Sequence, residues 1–530
     1  MQTLQVQTHA SEGAGDPEDG SLADGIASAA QNPGMTRPRI NMASLLASLS
    51  LSACAVGPNF TRPQTPAPAV YRVPEEAPRS GAGAAPLATD SAASAYTQRL
   101  IPGASPAADW WTSFGSRDLD SLVSEAVSHN QTLAAARASV DEARELVKAE
   151  AGNLYPQVSF SGGAGRQKYG DQFLGPLVAI PPFSYVAAGA TVNYVVDYTG
   201  GVARSVEQRE ALAQYQRSEA EGAYLSLTGS VVSEAMQIAA ARAEIEALSE
   251  LLAEDQQNLE LVRTAFENGS VSRVDVLTAQ SQLATDEALL PPLRQQLAIA
   301  RHALAVLAGR APGGWLPPDF TLDALKLPKE LPVSLPSELA HHRPDILAAE
   351  AQLHAATAAV GVATANLYPQ ITLSATGGWQ TLPGQTLFTR SNTAWSLISG
   401  LTTPLFDGGK LRAQRRAALD ELRASAAQYQ QVVLDSFGQV ADALDALEHD
   451  AQLVAAQTTA LATATTNVDL AREGYSAGNS GILEVIDAQR RRLDAQRGLL
   501  RAQAGQYLDT AQLFLALGSG SSPLEGASHG

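Results

Sequence analysis

The sequence predicts a mainly α-helical protein that also carries membrane β-strands, and two observations support this fold class. First, the pentapeptide NLYPQ occurs at residues 153–157 and again at residues 366–370, which indicates an internal duplication. Second, no proline occurs from residue 183 to 290 or from residue 405 to 522. Each of these stretches leaves room for a continuous helical segment of about 65 residues. Such a helix would measure on the order of 100 Å, a length typical of coiled coils.

A tandem duplication accounts for more than the pentapeptide. The stretch FENGSVSRVDVLTAQ at residues 266–280 matches YSAGNSGILEVIDAQ at residues 475–489. We therefore predict two tandem helix-strand-strand-helix repeats, at residues 109–310 and 336–517. The Pro- and Gly-rich stretch 311–335 between them is predicted to be a linker.

Each repeat is predicted to contain a corner where a helix gives way to a strand. Proline disfavours the helical conformation in the residue before it. The first helix of each repeat is therefore expected to end before its Leu-Tyr-Pro sequence. The predicted corner residues are Tyr155, Pro156, Tyr368 and Pro369.

Two amphipathic strands are predicted after each corner, because apolar residues alternate there with smaller or polar ones. The alternating apolar residues are Val186, Ala188, Ala190, Val192, Tyr194 and Val196 in the first repeat, and Ile371, Leu373 and Trp379 in the second. Strands of about 10 residues with one apolar face and one polar face suit a tilted membrane strand. For any single strand, half of a soluble β-sandwich is the alternative.

The long segments that follow the strands have apolar seams. Residues 238–266 and 440–468 place these seams at steps of three and four, the spacing of a coiled coil. Turns at Gly269 and Gly478 are expected to reverse the chain into a returning helix of about 35 residues in each repeat.

The N-terminal region is interpreted as a lipoprotein export signal. Residues 35–53 combine Arg37 and Arg39 with a short apolar stretch, and they end in Leu-Ser-Ala before Cys54. This ending resembles a bacterial lipobox, so Cys54 is predicted to be the acylated first residue of the mature chain. A buried free cysteine is the alternative.

The signal peptide also divides the N-terminal region. Because its basic part begins after residue 34, residues 1–34 are interpreted as a spurious or unstructured extension. Residues 54–108 form an N-terminal lead, and residues 518–530 form a flexible C-terminal tail. Ala55 follows the cysteine and, by resemblance to sorted lipoproteins, favours the outer membrane.

Composition excludes several functional classes. The net charge of −18 argues against a nucleic-acid partner. No stretch after the signal reaches the run of about 18 apolar residues that a membrane helix needs, so any membrane crossing is expected to use strands of a closed barrel. No catalytic constellation is present, which predicts a protein that is not an enzyme and binds no cofactor. His341 and His342 have no second ligand cluster, so no metal site is predicted.

The number of strands predicts oligomerisation. Two repeats supply four membrane strands, and four strands leave open edges whose unpaired backbone groups cost several kcal/mol each in lipid. Three copies of four strands would supply 12, enough for an open lumen when compared with the roughly 8 strands whose interior side chains can fill. The long helices would then continue the barrel as a tube.

These motifs resemble the TolC/OprM-type outer membrane efflux factors, especially their NodT-like lipoprotein branch. The resemblance rests on the lipobox followed by VGPNFTRP, the paired LYPQ corners, the LTTPLFDGGKLRAQ join and the GYSAGNSGILEVIDAQRRRLDAQ hairpin, over residues 54–518. It implies a homotrimer with a 12-stranded β-barrel in the outer membrane, a long α-helical coiled-coil barrel in the periplasm, and an equatorial domain.

The resemblance also implies a function and partners. It identifies the chain as the outer membrane channel of a tripartite efflux pump that passively conducts drugs or other small molecules. The implied partners are outer membrane lipid, a periplasmic adaptor (membrane fusion protein) and an inner-membrane RND-type pump. The alternative is a lipid-anchored periplasmic coiled-coil scaffold or adaptor without a pore, which does not need amphipathic strands.

The periplasmic gate is assigned by the same resemblance to Tyr475, Leu483, Asp487 and Arg490. Leu483, Asp487 and Arg490 step by four and three, so they share one helix face. Threefold symmetry would make Asp487 a ring of carboxylates that favours cations. An ordinary helix with an Asp/Arg surface pair is the alternative. The first repeat has Thr278 in place of Asp487, which breaks the internal symmetry.

The two hairpin turns are the candidate adaptor contacts, because only the end of such a tube can meet a partner end-on. Residues 271–280 and 480–489 are the stretches concerned, with Ser272, Asp275 and Glu484 as the predicted contact residues.

Overall fold

The structure is a computed structural model that describes residues 55–63, 71, 98–169 and 181–519. The predicted extension at residues 1–34, the signal peptide at residues 35–53 and Cys54 lie outside the described residues. The lead (54–108) and the tail (518–530) are described only in part.

The described chain is mainly α-helical, as the sequence predicted. Its α-helices, in order, are α1 (Arg117–His129), α2 (Gln131–Ala151), α3 (Gly201–Glu267), α4 (Arg273–Glu287), α5 (Leu290–Leu307), α6 (Pro336–His342), α7 (Pro344–Ala365), α8 (Lys410–Ser476) and α9 (Ile482–Ala516). Its strands are β1 (Arg99–Pro102), β2 (Gln157–Gln167), β3 (Phe183–Val196), β4 (Glu330–Val333), β5 (Gln370–Thr381) and β6 (Thr393–Thr402).

The two halves of the chain share an order of elements. Two helices precede two strands, and a helix of 67 residues follows, α3 in the first half and α8 in the second. The returning helix differs between the halves. In the second half, α9 is a single helix of 35 residues. In the first half, the expected single helix is wrong, because the chain breaks into α4 and α5. Pro291 and Pro292, which cannot continue an existing helix, begin α5 instead.

The four predicted membrane strands form one antiparallel sheet in the order β2-β3-β5-β6. Its register places one apolar row across all four strands, made of Val158, Val192, Ala375 and Leu397. The adjacent row points to the opposite face and is polar, made of Ser159, Thr191, Thr376 and Ser396. In a single chain Val158 is 70% exposed and Leu397 is 75% exposed. The sheet is therefore amphipathic, and in the described part of one chain its apolar face is largely exposed on the outer strands.

The outer strands of this sheet, β2 and β6, each pair with only one neighbour within the described residues. Both strands are at least 10 residues long, β2 with 11 and β6 with 10. Each therefore presents a row of backbone N–H and C=O groups without partners in a single chain.

The two halves meet in this sheet where β3 pairs with β5. Gly189 lies opposite Gly378 in the register, and their backbones approach closely. A Cβ atom on Gly378 would lie 2.3 Å from the carbonyl oxygen of Ala188, whereas a Cβ atom on the neighbouring Gly377 would meet nothing within 4 Å. Only glycine fits the first position without a shift of the strands.

An aromatic cluster joins the residues just before α1 to the last helix, α9. Trp110 and Phe114 are fully buried. The ring of Trp110 stacks on Phe514 of α9 with a centroid separation of 5.4 Å. The residues just before α1 are thereby fixed to the last helix.

The lead and the linker also pair, which the sequence did not predict. The strands β1 and β4 form a parallel two-stranded sheet. Next to it, the buried Gln98 side chain donates hydrogen bonds to Pro328 O and to Thr510 Oγ1, each at 3.0 Å. The lead, the linker and α9 are therefore held together in one region.

The N-terminal strap, residues 55–63, lies along α3 and α7. Val56 N donates to Thr199 O at 3.0 Å, at the junction between β3 and α3. A Cβ atom on Gly57 would lie 2.6 Å from the backbone of Gly361 in α7, so the strap touches this helix through two glycines. The first described residue, Ala55, is thus fixed beside the strand-to-helix junction.

The helix α7 corrects the expectation that no stretch after the signal is apolar enough to cross a membrane. By length and composition it qualifies, with 22 residues and a mean hydropathy of 1.3. More than half of it (56%) is buried inside the chain. It also carries Glu350 and His354, which bond Arg62 and Glu207 respectively. These features are typical of a core helix, and the residues Ile346 and Ala358 are fully buried in the helical body.

The contact between β3 and β5 can be tested by two alanine substitutions. We expect Gly378→Ala to destabilise the sheet by about 1–3 kcal/mol, because the added methyl group overlaps the backbone of β3. Gly377→Ala is the matched control and is expected to be nearly neutral. Thermal unfolding of both variants in detergent, followed by circular dichroism, measures the difference. Equal losses in the two variants would contradict this packing.

Candidate functional site

The two helical hairpins end side by side. The first hairpin turns between α3 and α4, with Gly269 at φ 70°, and the second turns between α8 and α9, with Gly478 at φ 75°. Positive φ favours glycine, which explains this residue at both turns. The turns share one apolar core, which we call the tip cluster: Leu259, Val262, Ala279, Ile482, Val485 and Ile486. Because this core draws residues from both hairpins, the two ends are held as one unit.

The four predicted gate residues all lie at this end of the helices. Tyr475, in the last turn of α8, is partly buried and packs against the tip cluster. Leu483, Asp487 and Arg490 are exposed on α9, while residues between them, such as Val485, face the tip cluster. The shared face deduced from the spacing is therefore present, and in a single chain it is uncovered.

The charged gate residues have different partners. Asp487 pairs with Arg491, one turn further along α9, at 2.8 Å. Asp487 is 60% exposed in this pair, which matches the alternative interpretation of a surface pair in a single chain. Arg490 instead reaches the first hairpin, where its Nε lies 3.7 Å from Asp286 Oδ1. The spacing on α9 gave no indication of this second contact.

The predicted adaptor contacts lie at the helix starts beside the turns. Ser272 and Asp275 form a capping box at the start of α4. The Ser272 N–H and hydroxyl both donate to Asp275 Oδ2 at 2.8 Å, and these bonds lower the pKa of the Asp275 carboxyl. The cap is therefore complete near neutral pH and is lost only as the pH falls through that lowered pKa. Glu484 is exposed in the first turn of α9, where Gly481 provides no side-chain cap.

Two acidic residues of α3 anchor α9, and sequence reasoning did not find them. Glu254 accepts hydrogen bonds from Arg492 at 2.9 Å and from Arg472 of α8 at 3.1 Å. Glu244 accepts from Arg497 at 3.1 Å and from Arg501 at 3.0 Å. These pairs join residues more than 200 positions apart, as for Glu254 and Arg492, which are separated by 238 positions.

A buried pair of carboxyl groups lies next to Arg490. Asp255 of α3 is 3% exposed and Asp286 of α4 is 1% exposed, and their side chains are hydrogen-bonded to each other. Burial first, and the negative charge of Asp286 second, raise the pKa of Asp255 to about 7. Such a pair holds one shared proton in the folded chain at mildly acidic pH.

A second acidic pair joins α8 and α9. Asp450 is hydrogen-bonded to Asp509, and burial together with this neighbour raises the pKa of Asp450 to about 7. This pair lies on different helices from the first and does not include a gate residue.

The predicted corner residues lie between helices and strands in both halves. In the first half, Tyr155 and Pro156 separate a short 3₁₀ turn from β2. In the second, Tyr368 and Pro369 separate α7 from β5, and Tyr198 donates its hydroxyl hydrogen to Pro369 O at 2.6 Å. The two corners therefore have the same sequence and the same place between a helix and a strand. Among the described residues, the hydrogen bond from Tyr198, which follows β3, is made to the second corner and not to the first.

No group of three or more His, Cys, Asp or Glu residues that could hold a metal occurs in the part of the chain that the structure describes. Of the two adjacent histidines, His341 accepts a hydrogen bond from Arg62 through Nδ1 at 2.8 Å. This arrangement fixes the N-terminal strap rather than forming a ligand set.

The capping box can be tested by local hydrogen exchange. We expect Ser272→Ala to speed the exchange of amides in the first turn of α4 about five-fold, because the N-cap acceptor is lost. The matched control is Ser480→Ala in the second turn, whose hydroxyl has no hydrogen-bond partner among the described residues. Hydrogen exchange read by mass spectrometry measures both, and an equal response of α4 to the two substitutions would contradict the cap.

Comparison with known proteins gives the family of this fold. Residues 122–310 and 335–519 match the family described as "Outer membrane efflux protein". The pyoverdine export outer membrane protein OpmQ of Pseudomonas aeruginosa is 32% identical over 83% of this chain and 94% of its own length. Nodulation protein T of Rhizobium leguminosarum bv. trifolii is 27% identical over 90% of this chain and 97% of its own. The cation efflux system protein CusC of Escherichia coli is 27% identical over 89% of this chain and 97% of its own length.

Solved structures of outer membrane channels have the same fold. The outer-membrane channel OprN superposes with a TM-score of 0.78 at 26% identity, over 88% of this chain and 99% of its own. The outer membrane protein VceC of Vibrio cholerae gives a TM-score of 0.72 at 25% identity, over 78% and 99%. The resemblance deduced from the lipobox, corners and hairpins is thereby confirmed at the level of the family. This chain belongs to the outer membrane efflux protein family.

Proposed function

We propose that this chain is the outer membrane channel subunit of a tripartite efflux pump. It conducts small molecules passively from a periplasmic adaptor and an inner-membrane RND-type pump to the exterior. The observation that carries this proposal is the amphipathic four-stranded sheet joined directly to two helices of 67 residues each. A membrane element and a periplasmic conduit are thus built into one chain. Its family is defined by outer membrane efflux and not by a reaction.

The subunit assembles as a homotrimer in this proposal. The unpaired edges β2 and β6 are satisfied when β6 of one subunit pairs with β2 of the next. Three sheets of four strands then close a barrel of 12 strands. The apolar row that includes Val158 and Leu397 faces lipid, and the polar row that includes Ser159 and Ser396 faces the lumen.

The long helices continue the barrel into the periplasm. At 1.5 Å per residue, a helix of 67 residues reaches about 100 Å from the sheet. Symmetry-related copies of α3 and α8 would enclose a tube. The region where β1 pairs with β4 lies against α9 through Gln98, and it forms the equatorial domain of the proposed channel.

The chain is anchored by a lipid on Cys54 in this proposal. Support comes from the position of the strap, because Val56 is bonded to Thr199 at the junction of β3 and α3. That junction is where the membrane sheet ends and the helical body begins. An acyl group on the preceding cysteine would therefore enter the periplasmic side of the same membrane.

The gate is formed by the exposed face of α9 in this proposal. Leu483 is 42% exposed and Asp487 is 60% exposed in one chain, so a threefold axis along this face would bring three copies of each together. The result is an apolar closure beside a ring of carboxylates that favours cations. The corner residues Tyr155 and Tyr368 direct the chain from the helical tube into the barrel.

The adaptor binds at the hairpin ends in this proposal. The capping box of Ser272 and Asp275 fixes the first turn, and Glu484 adds an exposed carboxylate beside it. The relatives are named for pyoverdine export, cation efflux and toluene efflux. Similar channels therefore serve different cargo, and we assign the selection of cargo to the inner-membrane pump.

The gate can be tested by conductance in planar bilayers. We expect the wild-type protein to conduct with a preference for cations, and Asp487→Ala to lower that preference several-fold because the carboxylate ring is lost. Asp420→Ala is the matched control, since Asp420 is also exposed and paired on its own helix, with Arg423 at 2.7 Å. It is expected to leave conductance and ion preference unchanged.

The outcomes separate the channel from its alternatives. Conductance that is identical in wild type and Asp487→Ala would disprove the gate assignment. A folded protein that never conducts would favour the lipid-anchored scaffold without a pore.

The lipid anchor can be tested by the intact mass of the mature protein. We expect a chain that begins at Cys54 and carries acyl mass, and we expect Cys54→Ser to lose that mass and to leave the membrane fraction more easily. A mature species that retains residues before Cys54 would contradict the anchor.

A further inference from the structure

The buried acid pair described above links three helices at the gate end. Asp255 lies on α3, Asp286 near the end of α4, and Arg490 on α9. Asp286 Oδ2 accepts a hydrogen bond from Gln282 at 2.5 Å, and its Oδ1 faces the guanidinium of Arg490 at 3.7 Å. Gln282 lies on α4 itself, so Asp286 contacts α9 through Arg490 and α3 through its hydrogen bond with Asp255.

The surroundings of Asp255 offer little other compensation for charge. Its Oδ2 is buried and has no hydrogen-bond partner among the described residues. The adjacent Glu254 is negative as well and is bonded to Arg492 and Arg472. The nearby neutral side chains of Asn258 and Gln489 bond each other, with Asn258 Nδ2 donating to Gln489 Oε1 at 2.6 Å.

Charge balance at this place requires one proton. With Asp255 protonated and Asp286 ionised, the single positive charge of Arg490 is matched by a single buried negative charge. With both carboxyl groups ionised, two buried negative charges share one half-exposed arginine, and burying the uncompensated charge is unfavourable. The packing of α4 on α3 therefore depends on that proton.

We propose that Asp255, Asp286 and Arg490 form a proton-dependent clamp, called here the carboxyl clamp. While Asp255 and Asp286 share a proton, the clamp holds α4 against α3 and keeps Arg490 of α9 on the first hairpin. Loss of the proton sets two buried negative charges against each other and weakens the contact of α4 with α3. Asp255 and Asp286 are thus positioning residues for the exposed face of α9. An effect of the clamp on channel opening rests on the proposed gate.

The direction of the pH response follows from the raised pKa. The pKa of Asp255 in the folded chain is about 7, against an ordinary value of 3.8, so the folded chain binds more protons than the unfolded chain between these limits. The stabilising contribution is complete below about pH 4 and declines as the pH rises toward 7. The clamp is closed at mildly acidic pH and releases at alkaline pH.

Hydrogen exchange of the full mature protein tests the clamp. Protection factors, which remove the intrinsic pH dependence of exchange, are measured for α4 at pH 6 and pH 8. Over this range the protonated fraction of a group with a pKa of about 7 falls from about nine tenths to about one tenth. We expect the protection of α4 in the wild type to fall about ten-fold.

Two variants and one control complete the experiment. Asp255→Asn mimics the protonated acid and is expected to keep α4 protected at both pH values. Asp286→Asn removes the neighbouring negative charge and leaves burial as the main cause of the raised pKa of Asp255, so the fall in protection is expected to move to lower pH. Asp450→Asn removes the other acid pair, between α8 and α9, and is expected to keep the wild-type step in α4.

The carboxyl clamp would be overturned if the protection of α4 in the wild type did not fall between pH 6 and pH 8. It would also be overturned if Asp255→Asn showed the same fall, which is called the step below. Conductance of the same samples separates this result from the proposed function. A conducting protein without a step in α4 refutes the clamp alone. A protein with the step that does not conduct retains the clamp and refutes the channel.

Discussion

The unpaired edges of the four-stranded sheet constrain the rest of this structure. Along β2 and β6, backbone groups have partners on only one side within the described chain, and the apolar row through Val158 and Leu397 would face lipid in the proposed barrel. In lipid, no water replaces the missing partners, so the sheet is stable only as part of a closed barrel. A closed barrel in turn determines the positions of the helices, because α3 follows β3 and α8 follows β6 directly. In the proposed trimer, the fold of one chain is a third of the structure, and its exposed surfaces become interfaces.

At the other end, the helices are held by charges as well as by apolar contacts. The tip cluster joins both hairpins, and Glu254 and Glu244 hold α9 against α3 through arginines. In the proposed clamp, the acid pair at Asp255 differs from these ion pairs, because it needs a proton in addition to the nearby Arg490. Ion pairs thus hold α9 against α3, and a titratable contact lies next to the face of α9 that moves in the proposed gate.

Local sequence signals predicted much of this fold. Three signals act within a few residues and could therefore be recognised in the sequence. They are the alternation along β3 and β5, the proline at the corners and the glycine at the turns. The exposed face of Leu483 and Asp487 followed from helical spacing. The pairing of β1 with β4 was missed, because strands of 4 residues that contain Pro102 or Pro332 are too short to show an alternation of apolar and polar residues. The contact of Arg490 with Asp286 was missed because spacing on one helix says nothing about its neighbour. The break before α5 coincides with Pro291 and Pro292, a local signal that the expected single helix of about 35 residues did not take into account.

The account depends most on the closure of the sheet by three chains. The direct measurement is the native mass of the mature protein released from a mild detergent micelle. We predict a complex of three acylated chains that dissociates to single chains only when the sheet is unfolded by heat. A stable, folded single chain, or a complex with a different number of chains, would contradict the barrel of 12 strands and the ring of gate residues that depends on it.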